Sequence, residues 1–110
     1  MPHWIRVTDL ASCPPGTALE CTVEDRIVAL FHVDGSIYAL DGVCPHQGGP
    51  LGNGCLTGTI VTCPWHGWQF DVRTGQHQLS RGIRQPGFPV KIEADAVWVD
   101  LEGHLPTDAP

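Results

Sequence analysis

The sequence predicts an all-β domain built of short antiparallel strands, and three observations carry that expectation. Apolar and polar residues alternate with a period of two in several segments, and no stretch shows helical periodicity. Thirteen glycines and ten prolines among 110 residues punctuate the chain too densely for long helices. Asp34-Gly35 lies between two apolar runs, a strong short-range signal for a β-hairpin.

In chain order, Trp4–Thr8 alternates and reads as a first strand, and Cys13-Pro14-Pro15-Gly16 reads as a turn. Ala18–Val23, Arg26–Val33 and Ser36–Leu40 read as a meander whose second turn is Asp34-Gly35. The segment 41–54 holds five glycines and two prolines, so it reads as one long structured loop with no regular element. Leu56–Thr62 returns to strand character, and a second loop follows at Cys63-Pro64-Trp65-His66-Gly67. Trp68–Val72 is a further strand, turned by Thr74-Gly75. The polar stretch Gln76–Gln85 has no assignable pattern. Phe88–Glu93 and Ala96–Leu101 read as two closing strands joined by Ala94-Asp95. One domain over residues 1–102 with a flexible tail at 103–110 is the expected organisation.

Composition narrows the classes of function. Twelve acidic against six basic side chains leave a net charge of −6, which disfavours nucleic acid and suits a basic protein partner. No segment has the 18 or more apolar residues of a membrane span, and Met1-Pro2-His3-Trp4-Ile5-Arg6 does not read as a signal peptide. The chain is expected to be cytoplasmic. Five cysteines cannot all pair within the chain, and Cys close to His in a reducing compartment points first to a metal.

The chemistry lies in an echo between the two loops. Cys44-Pro45-His46-Gln47-Gly48 and Cys63-Pro64-Trp65-His66-Gly67 each offer one thiolate and one imidazole. Two Cys and two His could hold one tetrahedral zinc, but zinc fingers usually place both Cys on one arm and both His on the other. A [2Fe–2S] cluster explains the mixing better. Cys44 and Cys63 would ligate one iron and His46 and His66 the other, so that each loop reaches both metals. Gly48, Gly49 and Gly67 allow close backbone approach to the sulfurs, and Pro45, Pro50 and Pro64 limit the freedom of the empty loops.

Extended to Cys44-Pro45-His46-Gln47-Gly48-Gly49-Pro50-Leu51 and Cys63-Pro64-Trp65-His66-Gly67-Trp68-Gln69-Phe70-Asp71, the two segments resemble the cluster-binding boxes of the Rieske family. The resemblance runs from about Trp4 to Leu101. It implies a fold of stacked antiparallel β-sheets with a cluster-binding subdomain made of the two loops, its His edges near solvent. Members from respiratory and photosynthetic complexes carry an extra Cys in each box, joined as a disulfide. Gly49 and Trp65 stand at those positions here, so that bond cannot form. Trp68 and Phe70 stand where those proteins place a Ser and a Tyr as hydroxyl donors. Fewer donors leave the reduced cluster less stabilised, which predicts a potential at the low end of the Rieske range, about −150 mV.

The pattern is similar to the soluble Rieske-type ferredoxins of bacterial multicomponent aromatic-ring dioxygenases. That implies a monomeric carrier of single electrons, not an enzyme, between a flavin-dependent ferredoxin reductase and a terminal Rieske non-haem iron oxygenase. Two alternatives are a small Rieske-like subunit of a nitrite reductase and a carrier for a diiron hydroxylase. Outside the boxes, Cys21 reads as a small core residue and Cys55 as a structural thiol, with a Cys13–Cys21 disulfide conceivable. His3, His32, His77 and His104 are isolated and read as surface or strand residues. Pro50 and Leu51 are expected in an apolar rim around the exposed His edges, with Trp65 shielding the cluster or meeting a partner.

Overall fold

The computed structural model describes residues 3–43, 49–65, 67–80 and 82–103. Its ten strands are β1 (Trp4–Asp9), β2 (Ala18–Val23), β3 (Arg26–Val33), β4 (Ser36–Asp41), β5 (Cys55–Thr57), β6 (Ile60–Thr62), β7 (Gln69–Asp71), β8 (Gly87–Phe88), β9 (Val90–Glu93) and β10 (Ala96–Asp100). They form three antiparallel sheets, ordered β1-β10-β9, β2-β3-β4-β8 and β5-β6-β7. Among the described residues there is no α-helix, and no helix long and apolar enough to cross a membrane.

The middle sheet separates two cores. Along β3, Val28 and Leu30 join Val97, Val99 and Phe88 on one face. The alternate residues Ala29, Phe31 and Val33 join Leu51, Val61, Phe70 and Val72 on the other. Successive side chains of a strand point to opposite faces, so burial on both sides needs an unbroken apolar run. Val28-Ala29-Leu30-Phe31 is that run, and all four residues are fully buried.

The turns follow the same economy. Glu24-Asp25, Asp34-Gly35 and Ala94-Asp95 are two-residue hairpin loops with both residues at positive φ, as type I′ turns require. Only one of these six residues is glycine.

Two expected strands are each two strands. The run Leu56–Thr62 folds back at Gly58-Thr59 into the β5–β6 hairpin, with Gly58 at φ +59°. Its first strand begins one residue earlier, at Cys55. The run Phe88–Glu93 changes sheets at Pro89: β8 pairs with β4, whereas β9 pairs with β10. Proline has no N–H to continue a ladder, but the carbonyl of Pro89 still accepts from the Asp100 amide at 3.1 Å. The stretch 41–54 also holds a regular piece, a 3-10 turn over Leu51–Asn53. Towards the C-terminus, Leu101 is buried and Gly103 N–H bonds the Asp100 carbonyl; the expected tail from residue 104 lies outside the described residues.

Beyond β7 the chain makes a tight turn built on Asp71. Its carboxylate accepts from Arg73 N (2.9 Å), Nε (3.1 Å) and Nη2 (2.8 Å), and its carbonyl accepts from Gly75 N (2.7 Å). Burial pushes this carboxyl up, but the Arg73 hydrogen bonds and charge outweigh it and hold Asp71 below the usual carboxylate value. A depressed carboxyl contributes stability above its unfolded pKa and loses it as pH falls through the folded value. Asp71→Asn should therefore lower the melting temperature at neutral pH, and the difference from the parent should shrink in acid; thermal melts across pH 7 to 3 check this. Ala94 holds a left-handed conformation (φ +50°) that costs an L-residue about 1–2 kcal/mol. Ala94→Gly should stabilise the domain by about 0.5–1 kcal/mol in denaturant titrations.

Candidate metal centre

The two loops that carry the expected ligands leave the same end of the fold. The first leaves β4 and is closed at its base by backbone pairing. Gly42 N donates to the Ile27 carbonyl (2.8 Å), Leu51 N to the Gly42 carbonyl (2.9 Å), and Val43 and Pro50 form an antiparallel bridge. The Asp41 carboxylate accepts from Val43 N at 3.0 Å, the reach of an Asx turn. The second loop leaves β6 and returns into β7. Cys63 N donates to the Trp68 carbonyl at 2.8 Å, and Gly67 takes φ +73° in the return.

Of the four expected ligands, Cys63 is described, and its side chain is buried in the core beside Val61, Leu51 and Phe70. Cys44, His46 and His66 lie outside the described residues, as do Pro45, Gln47 and Gly48. The loops nevertheless meet at a described point. A Cβ on Gly49 would stand 2.8 Å from Cys63 Sγ and 2.9 Å from Trp65 Cβ, closer than real Cβ atoms come. Only a residue without a side chain lets the first loop lie against the Cys63 sulfur. The same contact places Gly49 and Trp65, the pair that replaces a disulfide, against each other. Trp65 is nevertheless 50% exposed.

This donor set fits an iron–sulfur group. A buried thiol lies against a glycine, whose missing side chain lets the backbone of the partner loop come close to the sulfur. Among the described residues, no group of three or more His, Cys, Asp or Glu could hold a metal elsewhere.

Three residues around the centre carried no sequence signal. His77 is buried rather than at the surface, in an isolated antiparallel bridge with Phe70. Its ring stands edge-on to Trp68 (4.7 Å) and Phe70 (5.2 Å). Its Nδ1 accepts from the amides of Leu79 (3.0 Å) and Ser80 (3.2 Å), so the ring hydrogen belongs on Nε2, which is buried without a hydrogen-bond partner. Gln76 Nε2 donates to the carbonyls of Ser80 (2.9 Å) and Ile83 (3.1 Å). Gln85, 1% exposed, donates through Nε2 to the carbonyls of Asp41 (2.5 Å) and Val43 (2.7 Å) at the root of the first loop. The polar stretch without a pattern is therefore a strap packed across the base of the site. The Gln76 and Gln85 side chains face inward to backbone, which periodicity cannot reveal.

Of the remaining expectations, the rim and the reading of Cys55 as a structural thiol are corrected. Leu51 is no rim residue: it is fully buried in the second core, drawn there by the turn at Leu51–Asn53, while Pro50 is half-buried. Cys55 is an exposed thiol on the edge strand β5. Cys13 and Cys21 are free thiols, not a disulfide, and burial pushes both up in pKa, so neither is a ready nucleophile. His32 is a strand residue, as one of its two readings had it: it is buried on β3, with Nδ1 2.7 Å from the Cys13 carbonyl.

Known proteins share this arrangement. The family described as Rieske [2Fe-2S] domain matches residues 3–92. The ferredoxin component of the naphthalene 1,2-dioxygenase system of Pseudomonas aeruginosa is 39% identical over 101 residues, covering 89% of this chain and 95% of that protein. The Sphingomonas yanoikuyae B1 ferredoxin superposes with a TM-score of 0.81 at 32% identity, over 89% of this chain and 98% of its own. A chain in the complex of reduced oxygenase and oxidized ferredoxin of carbazole 1,9a-dioxygenase gives 0.82 at 30% identity, over 94% and 97%. The stacked sheets, the two loops closing on Cys63 and these near full-length matches agree: the chain belongs to the Rieske [2Fe–2S] family, as an electron-carrying ferredoxin.

Proposed function

We propose that this chain is the ferredoxin of an aromatic-ring dioxygenase system, taking single electrons from a flavoprotein reductase and delivering them to a terminal oxygenase. The observation that carries this reading is extent. The chain matches a ferredoxin component of such a system over 95% of that protein's length. A place in the cytoplasm, with such a reductase and oxygenase, belongs to the same reading.

In this reading Cys44 and Cys63 hold one iron as thiolates, and His46 and His66 hold the other as imidazoles. The bound cluster supplies one reversible electron. Cys63 keeps its end of the site in the core and away from water, because Val61, Leu51 and Phe70 surround it. Gly49 gives the sulfur room. Trp68 and Phe70 follow the second loop in the chain and offer no hydroxyl, which supports a low potential. With a net charge of −6, docking to basic faces of its partners should weaken with salt.

The purified holoprotein should be red-brown and show a rhombic EPR signal when reduced, with a midpoint potential near about −150 mV. It should accept electrons from a ferredoxin reductase and support turnover by a terminal dioxygenase. A colourless zinc protein would overturn the reading, and a potential above zero would overturn its low-potential part. Gly49→Ala should fold but hold its cluster about 10–100-fold less tightly, measured as iron retained under chelator.

A further inference from the structure

We infer that Gln85 is a positioning residue for the first ligand loop: its buried carboxamide sets where the chain turns into Cys44. The inference rests on the reading that Cys44 is a ligand.

Gln85 is a fully buried polar side chain, and its Nε2 hydrogens go to two carbonyls more than forty residues earlier in the chain. Those carbonyls, of Asp41 and Val43, flank the point where β4 ends and the loop begins; Val43 is the last residue before Cys44. A purely structural glutamine would tie any two neighbouring segments, whereas this one grips both ends of the loop's first turn.

The grip is itself anchored. Gln85 N donates to the Gly75 carbonyl at 2.7 Å, and a Cβ on Gly75 would collide with the Gln85 carbonyl oxygen. Gly75 is fixed in turn by the Asp71 turn at the end of β7, the strand that follows the second loop. One residue further on, the Pro86 carbonyl accepts from Asp41 N at 2.8 Å. The path therefore runs from the second loop, through β7 and the strap, to the root of the first. Gln85 closes it onto Val43 through a side-chain hydrogen bond. Among the described residues, the two ligand loops have no strand pairing with each other. Their relative position, on which a shared cluster depends, is held in part through this amide.

The test uses the holoprotein and two readouts, the rate of cluster loss under chelator and the midpoint potential. Gln85→Met keeps length and volume but removes both donors. It should lose its cluster about tenfold faster and show a shifted potential, as changes in residues that orient metal ligands do. Gln85→Glu keeps the shape and, when protonated, one donor; it should fall between parent and Gln85→Met, and it serves if the Met variant does not fold. Val97→Ala, in the other core, controls for general destabilisation and should leave the potential unchanged. Variants that keep the parent's potential and retention, or a Val97→Ala variant that loses its cluster as fast as they do, would overturn the proposal. A parent without a rhombic signal would overturn it by removing the reading beneath it, an outcome distinct from either.

Discussion

Burial of β3 on both faces is the constraint from which the rest of the structure follows. A strand with solvent on one side could have stood in a two-layer sandwich. Val28 to Val33 has no such side, so a second layer of strands must cover each face of the middle sheet. The sheet β1-β10-β9 covers one and β5-β6-β7 the other. The three short strands of β5-β6-β7 are too small to form a stable unit alone. They gain their stability by placing Val61, Phe70 and Val72 against Ala29, Phe31 and Leu40.

That arrangement has a direct consequence for the metal centre. One ligand loop grows from β4 in the middle sheet, and the other joins β6 to β7 in the covering sheet. The second core lies beneath both, so Cys63 is simultaneously a core residue and a ligand candidate. Packing thereby converts into geometry for electron transfer. The inner sulfur is dry and held by apolar contacts, while Trp65 on the same loop is half-exposed. A site with one end buried and one end open suits a carrier that must protect its redox group and still hand over an electron at its surface.

The regular parts of the fold were legible because they obey local rules. The meander β2-β3-β4 and the β9–β10 hairpin follow from alternation and from two-residue turns. The errors share a physical cause: the breaks are set by single residues whose meaning depends on a partner. Gly58 turns a seven-residue run of strand character into a hairpin because β6 can pair with both β5 and β7. Pro89 moves the chain between sheets because Phe88 finds Ala39 on one side and Val99 receives Val90 on the other. Leu51 reads as an exposed loop residue until a 3-10 turn carries it into the core.

What the sequence determined by itself was chemical identity: an all-β chain with Cys-x-His and Cys-x-x-His in two loops, and with Gly49 and Trp65 where a disulfide would otherwise stand. Ligand chemistry resides in side-chain type and short spacing, and both are local. Tertiary structure decided how the loops are brought to one place. Gly49 against Cys63, His77 between Trp68 and Phe70, and Gln85 reaching back to Asp41 and Val43 are contacts between residues far apart in the chain. Such contacts leave no periodic trace, because a polar side chain that satisfies buried backbone looks, in sequence, like one that faces water.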